Sequence, residues 1–518
     1  MTNVSSAVAL QSFRLALLKV IRYSFSIAIF YLSALYFNFS KERDYWVLSS
    51  SFILILSQLF FGPIQDVYRI QFVADQRKRG IHKSLRTVCA LNTSILIICA
   101  VLVLLGILFK YSIASWIAPG FDILERRDLA HMIAIVMPAL AFQQMMVLLA
   151  AALNSTDHFE YPETAQILSS AIALLIIVIW QKQVGIYSLI AGSYAGYLLA
   201  IFMMLRRLKI KFRSEFPLSA IPDRTVFSYF SKALPFWIPF FAGQLLSYTE
   251  RALTSYLPQG NVSLFDYGRK LVELPMGVII GITHSLYSVK MSSIYSLSGL
   301  KITAEFMQNF IRFMIFAFTP ITAVFLFCGN AIYDLLFSVV DSRYSFQRQF
   351  SSMMMAFSLS IPSLCIYAAS SQTLIAFGRQ RLSALTSCFF TLSVIILDLS
   401  LFHSYGIICL ILNWSLLLLV SSVLQVTAVI ISSNSYNLRF IKEITVLPLI
   451  LIAVLWFTVQ IFPYEPNNFS KLNIYPTFYI ASFFMGSILL LIVLSWLFRI
   501  PEFEKFIMFC RHFYEKHI

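Results

Sequence analysis

VCALNTSILIICAVLVLLGILF, residues Val88–Phe109, runs for 22 residues without a single charge. An α-helix needs about 20 predominantly apolar residues to cross the hydrocarbon core of a bilayer, and this stretch meets that length. Comparable stretches lie on either side: Leu15–Phe37, Val47–Phe61, Ala165–Trp180, Phe313–Phe327, Leu447–Phe462 and Phe478–Leu497. Counted along the chain they number about fourteen, with little sequence between them. The whole sequence of 518 residues is 59% hydrophobic and 12% charged. A soluble domain carries about twice that share of charge. The predicted fold class is an all-α polytopic membrane protein.

The helices use up most of the length, so no separate soluble domain is expected. The basic N-terminus (Arg14, Lys19, Arg22) leads into a first span and lacks the small-residue cleavage site of a signal peptide. The seven cysteines are scattered without a CxxC or Cys/His cluster, so neither a metal site nor a disulfide framework is predicted. No hydrolytic triad, HExxH or Walker motif occurs, which argues against an enzyme and against ATP-driven transport. The acids Asp122 and Glu125 read as loop residues without supporting groups. No cofactor is called for, apart from a coupling Na+ or H+.

A net charge of +15 suggests nucleic acid until its placement is considered. The basic residues sit in alternate loops: Arg69, Arg77, Lys78, Arg79, Lys83 and Arg86 after the second span, then Arg206, Arg207, Lys209, Lys211 and Arg213 after the sixth. Further basic sets occupy Arg379–Arg381, Arg439–Lys442 and the C-terminal tail. The intervening loops have little net positive charge. By the positive-inside rule both termini are cytoplasmic, which requires an even number of spans and favours fourteen. These loops orient the protein in the membrane, with attraction to anionic lipid headgroups a secondary role. Nucleic acid is not a predicted partner.

The connection RRLKIKFRSEFPLSAIPDR, Arg206–Arg224, divides six spans from eight. The expected organisation is an N-terminal lobe over 1–205, a basic cytoplasmic linker over 206–225, a C-terminal lobe over 226–432, and two last spans with a cytoplasmic tail over 433–518. Two helical bundles joined in this way suggest a transporter with a central cavity. No repeat is evident at the level of sequence. Pro138, Pro235, Pro239, Pro275, Gly277, Gly281, Pro320 and Pro362 fall near or within spans, as packing kinks or as moving elements.

Ionisable residues in spans are expensive and point to a wet interior. The richest group surrounds the seventh and eighth spans: Glu250 and Arg251 end one helix, and Asp266, Arg269, Lys270 and Glu273 open the next. Asp266 and Lys270, like Arg269 and Glu273, are four apart and share a helical face. They read either as self-neutralising pairs at a membrane boundary or as cavity cations that bind an anion such as a diphosphate, for which arginine offers bidentate geometry. A second group is Lys19, Arg22, Asp44, Asp66 and Arg69, some of which can simply snorkel. Asp398, in VIILDLSLF, is either a boundary carboxylate or a site for a coupling ion together with Glu250.

LPFWIPFFAGQLLSYTERALTSYLPQGNVSLFDYGRKLVELPMGVIIGI (Leu234–Ile282), WIAPGF (Trp116–Phe121) with the helix Met137–Glu163, and Tyr333–Arg381 are three stretches that resemble the MurJ/MviN family of lipid-linked saccharide flippases. In the first, the family pattern has an acid before RALAS, a short LP-x-G loop, and a helix opening Y-A-D-R-L-x-x-L-P-x-G. Glu250 stands at the family's aspartate and Arg251 at the basic residue after it. Gly268-Arg269-Lys270 replaces Ala-Asp-Arg, so the resemblance puts Lys270 at the cavity arginine. Asp44 matches the acid that starts the second span, and Arg22 is the nearest counterpart of the first-span arginines. Ser57 and Gln58 stand where the family has paired arginines.

The resemblance implies an inner-membrane flippase that moves an undecaprenyl-diphosphate-linked saccharide, lipid II foremost, to the outer leaflet by alternating access. It implies a substrate site of Arg269, Lys270, Arg251, Asp44 and Arg22, a coupling-ion site at Glu250 and Asp398, and a groove for the lipid tail in the last two spans. Membrane lipids and enzymes of cell-wall or polysaccharide synthesis are the implied partners. The missing arginines favour another lipid-linked glycan, from an O-antigen, capsule or exopolysaccharide. A MATE-like exporter of cationic drugs would prefer an acidic cavity, which Arg269 and Lys270 oppose. A non-transporting scaffold would not need the intramembrane charge.

Overall fold

The structure, a computed structural model, describes residues 2–154, 159–212, 224–234, 237–283, 287–337, 344–434, 456, 460 and 474–497. Most of the expected thirteenth span, the centre of the basic linker and the C-terminal tail lie outside these residues. The regular elements among the described residues are all helices, with no strand among them. They divide into two compact units, Met1–Ser263 and Leu264–Ile518.

The first unit holds α1 (Thr2–Phe37), α2 (Lys41–Arg79), α3 (Ile81–Leu108), α4 (Lys110–Ile117), α5 (Ile123–Val136) and α6 (Ala139–Asn154). It continues with α7 (Glu160–Val184), α8 (Tyr187–Phe212), α9 (Arg224–Ala233), α10 (Trp237–Thr254) and the first turn of α11 (Asn261–Ile282). The segment that opened the sequence reading is most of α3. Its exposed Ile97, Val101, Leu104 and Leu108 are what a lipid-facing helix presents, while Leu91, Ile95 and Cys99 are buried against the other helices. Helix α2 is central, packing against α3, α5, α6, α9 and α10. The pair α7 and α8 turns at Gly185, where φ is +58°. Gly192 and Gly196 then let α8 approach α7 closely: a Cβ at Gly192 would sit 2.9 Å from the Ala173 carbonyl, and one at Gly196 2.7 Å from that of Ser169. Small residues four apart are the usual means of close helix packing in membranes, where the hydrophobic effect supplies no driving force between helices.

The second unit comprises the rest of α11, then α12 (Ser288–Phe327), α13 (Gly329–Phe337), α14 (Tyr344–Ser358), α15 (Ser360–Ala376), α16 (Gln380–Tyr405), α17 (Ile407–Ser433) and α18 (Ile474–Leu497). Tyr267 of α11 packs edge-on against Phe337 of α13, and Tyr333 and Phe350 complete an aromatic core. Tyr287 is buried, stacks on Phe310, and shares a hydrogen bond of 2.8 Å with Thr373.

The order of elements in the first unit recurs in the second, although no repeat is visible in the sequence. Helix α3 follows Gly80 at φ +80°; the second part of α12 follows Gly299 at φ +76°, a left-handed backbone that divides this long helix. Each is succeeded by a short helix of 8 or 9 residues, α4 or α13. A span made of two short helices comes next: α5 and α6 of 14 and 16 residues, then α14 and α15 of 15 and 17. A pair of long helices joined at a glycine completes each series, at Gly185 for α7–α8 and at Gly406, φ +61°, for α16–α17. Helix packing in lipid constrains length, breaks and small contact residues but leaves the identity of most apolar side chains open, so shape persists where sequence does not.

Among the described residues, ten helices or helix pairs are long and apolar enough to cross a membrane, by length and composition. Helix α11 is not among them: Asp266, Arg269, Lys270 and Glu273 all fall within its 22 residues. Together with the similarity reported below, this makes the chain a multi-pass membrane protein.

Candidate functional site

The N-terminus of α11 is held by a carboxylate from far away in the sequence. Asp44, in the first turn of α2, accepts hydrogen bonds from the backbone N–H of Gly260 at 2.7 Å and of Ser263 at 2.8 Å, and from the Ser263 hydroxyl. The first N–H groups of a helix have no partner within it, and the helix dipole favours negative charge there. An aspartate supplies both needs, and with only 3% of its surface accessible no water can readily replace it. Asp44, expected at the substrate, thus has its carboxylate engaged in tying α2 to the α10–α11 turn.

Other contacts gather around the same turn. The Gly120 N–H donates to the Ser255 hydroxyl at 3.0 Å, and the chain passes so close that a Cβ at Gly120 would lie 2.5 Å from the Ser255 carbonyl oxygen. Trp116 stacks on Tyr248 with ring centroids 4.1 Å apart, and the Tyr248 hydroxyl donates to the Trp116 carbonyl. Asp122 and Glu125 are not unsupported loop acids. They form a reciprocal capping box at the start of α5, and Glu125 also meets the Lys41 ammonium at 3.1 Å. A cavity of about 310 Å³ lies against this assembly, lined by Lys41, Asp44, Tyr45, Glu125 and Gln259 among others.

The charged residues of α10 and α11 are each engaged nearby in sequence. Glu250, nearly inaccessible, contacts Arg251 at 3.2 Å. On α11 the Lys270 ammonium donates to Asp266 at 2.9 Å, and Arg269 lies 3.3 Å from Glu273, the two i,i+4 pairs expected from spacing. Asp266 is buried, whereas the Lys270 side chain keeps 40% of its surface open.

Arg22 of α1 reaches α7, where its Nη1 donates to Gln166 at 2.7 Å and contacts Glu163 at 2.9 Å. Asp398 of α16 is inaccessible and accepts a 2.9 Å hydrogen bond from the Asn413 amide of α17. Ser57 is buried and accepts a hydrogen bond from the Gln144 side chain of α6. No cluster of metal-ligating groups occurs among the described residues. Spacing alone revealed the i,i+4 pairs; the partners Glu163, Asn413, Gly260 and Ser263 had no such signal. The one available hint was the run Pro258-Gln259-Gly260-Asn261, which reads as a helix start in need of a cap.

Comparison with known proteins bears directly on this arrangement. A family model described as "Lipid II flippase MurJ" matches residues 13–476. The "Probable lipid II flippase MurJ" of Buchnera aphidicola subsp. Schizaphis graminum (strain Sg) is 24% identical over 278 residues, 52% of each chain. The chain thus spans about half the length of the curated relative it matches. Among solved structures, "Lipid II flippase MurJ, inward closed conformation" superposes with a TM-score of 0.74 at 17% identity, covering 93% of this chain and 99% of that one. An inward-facing multidrug resistance MATE transporter of the MOP superfamily gives 0.61 at 12% identity, covering 80% of this chain and 98% of that one. The fold is therefore one that MurJ shares with MATE transporters, while the family match runs almost the whole length and separates the two. This chain belongs to the MurJ family of lipid II flippases.

Proposed function

We propose that this protein moves the head of an undecaprenyl-diphosphate-linked saccharide, lipid II in the first place, from the inner to the outer leaflet of a bacterial cytoplasmic membrane. The observation that carries this reading is the charged opening of α11. Two cations, Arg269 and Lys270, stand one after the other on α11, where they pair with Glu273 and Asp266. A diphosphate cannot enter hydrocarbon without replacement of its hydration, so its path needs cationic donors that are available in exchange. Paired carboxylates keep such donors affordable while the path is empty. Arg251 and Arg22 are the further donors.

Alternating access requires a closure that can open. The Asp44 cap joins α2, in the proposed N-terminal lobe 1–205, to the α10–α11 turn in the proposed lobe 226–432. With both termini cytoplasmic, this closure lies on the outer side, and release to the outer leaflet requires that it break. Residues 206–225 link the lobes on the cytoplasmic side, and 433–518 supply the groove for the prenyl tail and the cytoplasmic tail. Protonation or sodium binding at Glu250 and Asp398 resets the cycle. Enzymes of cell-wall or polysaccharide synthesis provide the substrate and consume it; the protein itself is a transporter and catalyses no covalent step.

One observation favours a different lipid-linked glycan. Ser57, where the family pattern has an arginine, is turned to Gln144 and offers no charge. Expression in a host depleted of its own lipid II flippase separates the two readings. Restored growth and outer-leaflet lipid II support lipid II; failure to restore either, at normal membrane abundance, assigns the protein to another glycan. Undiminished rescue by Lys270→Ala removes the anion-binding role from α11.

A further inference from the structure

The geometry points to Glu163, with Gln166, as the positioning residue that presents Arg22 to a phosphate. This inference rests on the anion-binding role proposed for Arg22 and names what aims it. Arg22 lies on the span Leu17–Phe37 and Glu163 on the span Glu160–Val184, both in one compact unit. Glu163 at 2.9 Å and Gln166 at 2.7 Å both engage the same guanidinium nitrogen, Nη1. Gln166 accepts a hydrogen bond from Nη1, and Glu163 lies beside the same nitrogen as an ion pair. Among the described residues, Nη2 and Nε carry no hydrogen bond. Those two nitrogens form the side-on edge that meets an oxyanion with two parallel N–H···O bonds. The Tyr23 ring, 5.2 Å from the guanidinium carbon, lies against the same group. Some 23% of the Arg22 side chain is accessible.

An arginine side chain has four rotatable bonds and loses about 2 kcal/mol of rotamer freedom when ordered. Holding one nitrogen in advance moves that cost from binding into folding, which is the general route by which preorganisation raises affinity. A neutral core acceptor would position Arg22 equally well. The carboxylate adds a second effect: it offsets the guanidinium charge and keeps the diphosphate from being held too tightly for release. Glu163 and Gln166 are three apart on α7, adjacent on one face, so a single helix supplies both contacts.

The two effects separate in two variants of equal charge. Glu163→Gln keeps a polar side chain of the same length beside Nη1, whereas Glu163→Ala removes it. Binding of undecaprenyl diphosphate to the purified full-length protein in detergent would be measured for both, alone and combined with Arg22→Ala. The expected result is that Glu163→Gln binds about fivefold or more tightly than Glu163→Ala, the loss of a held guanidinium in the second variant. That difference is expected to vanish in the Arg22→Ala background. Equal affinities of the two Glu163 variants would overturn the positioning role while leaving Arg22 as a ligand. Unchanged affinity on Arg22→Ala alone would instead overturn Arg22 as a ligand. A difference that persists without Arg22 would show that Glu163 acts elsewhere and would also overturn the inference. Matched elution profiles and melting temperatures exclude misfolding as the source of any loss.

Discussion

Replacing Asp44 by alanine should unlock the closure between α2 and the α10–α11 turn. Two backbone N–H groups, of Gly260 and Ser263, would lose their acceptor. An abandoned buried donor costs about 1–3 kcal/mol, whereas the Ser263 hydroxyl can rotate to another partner. Taking the lower part of that range for each amide, the closed form loses about 3 kcal/mol, or roughly 150-fold in its equilibrium with an open one. Asparagine keeps one acceptor oxygen without the charge, so about a tenfold shift is expected from Asp44→Asn. Glu42 and Gln259 are exposed on the two sides of the contact and can carry spin labels as cysteines in a background without the native thiols. Double electron–electron resonance should then show one short distance in the parent and a second, longer population that grows from Asp44→Asn to Asp44→Ala. A purely structural cap would lower the melting temperature and leave the distance distribution unchanged. That result would refute the reasoning.

The remaining predictions concern packing and charge. Gly120→Ala places a methyl group within 2.5 Å of the Ser255 carbonyl and should lower stability by about 1–3 kcal/mol, read as a drop in melting temperature; a neutral effect would contradict the close approach. Lys270→Ala should impair complementation at least tenfold and Lys270→Arg should largely restore it, since either cation pairs with Asp266 and a phosphate. Tyr287→Phe removes the hydrogen bond to Thr373 but keeps the stacked ring, so a loss of about 1 kcal/mol is expected and a much larger one for Tyr287→Ala.

The membrane class and the positions of the most apolar spans were legible because hydrocarbon permits few kinds of side chain, so α3, α7, α16 and α17 declare themselves residue by residue. The pairs Asp266–Lys270 and Arg269–Glu273 were legible because helical spacing fixes their separation. Contacts between helices were not. Nothing local in Lys41–Ile64 announces that Asp44 will cap a helix starting at Asn261, because long-range pairing depends on how spans pack rather than on their order. Asp398 shows the same limit: its membrane position was plain, its Asn413 partner was not. The reading of Asp122 and Glu125 as unsupported failed for the opposite reason. The Asp-x-x-Glu capping box is a local signal, and it was present in the sequence. The repeated order of helices was hidden because it is written in lengths and in turn glycines such as Gly80 and Gly299, where a left-handed backbone matters more than neighbouring residues.

The central claim is that a lipid-linked diphosphate headgroup crosses the membrane through this protein. Its most direct test is purified protein in liposomes carrying fluorescent lipid II, with a membrane-impermeant quencher added outside. Protein-containing liposomes should expose the inner-leaflet label at a rate that scales with protein and falls at least tenfold on Lys270→Ala. A rate equal to that of protein-free liposomes, with the protein inserted and folded, would contradict the claim.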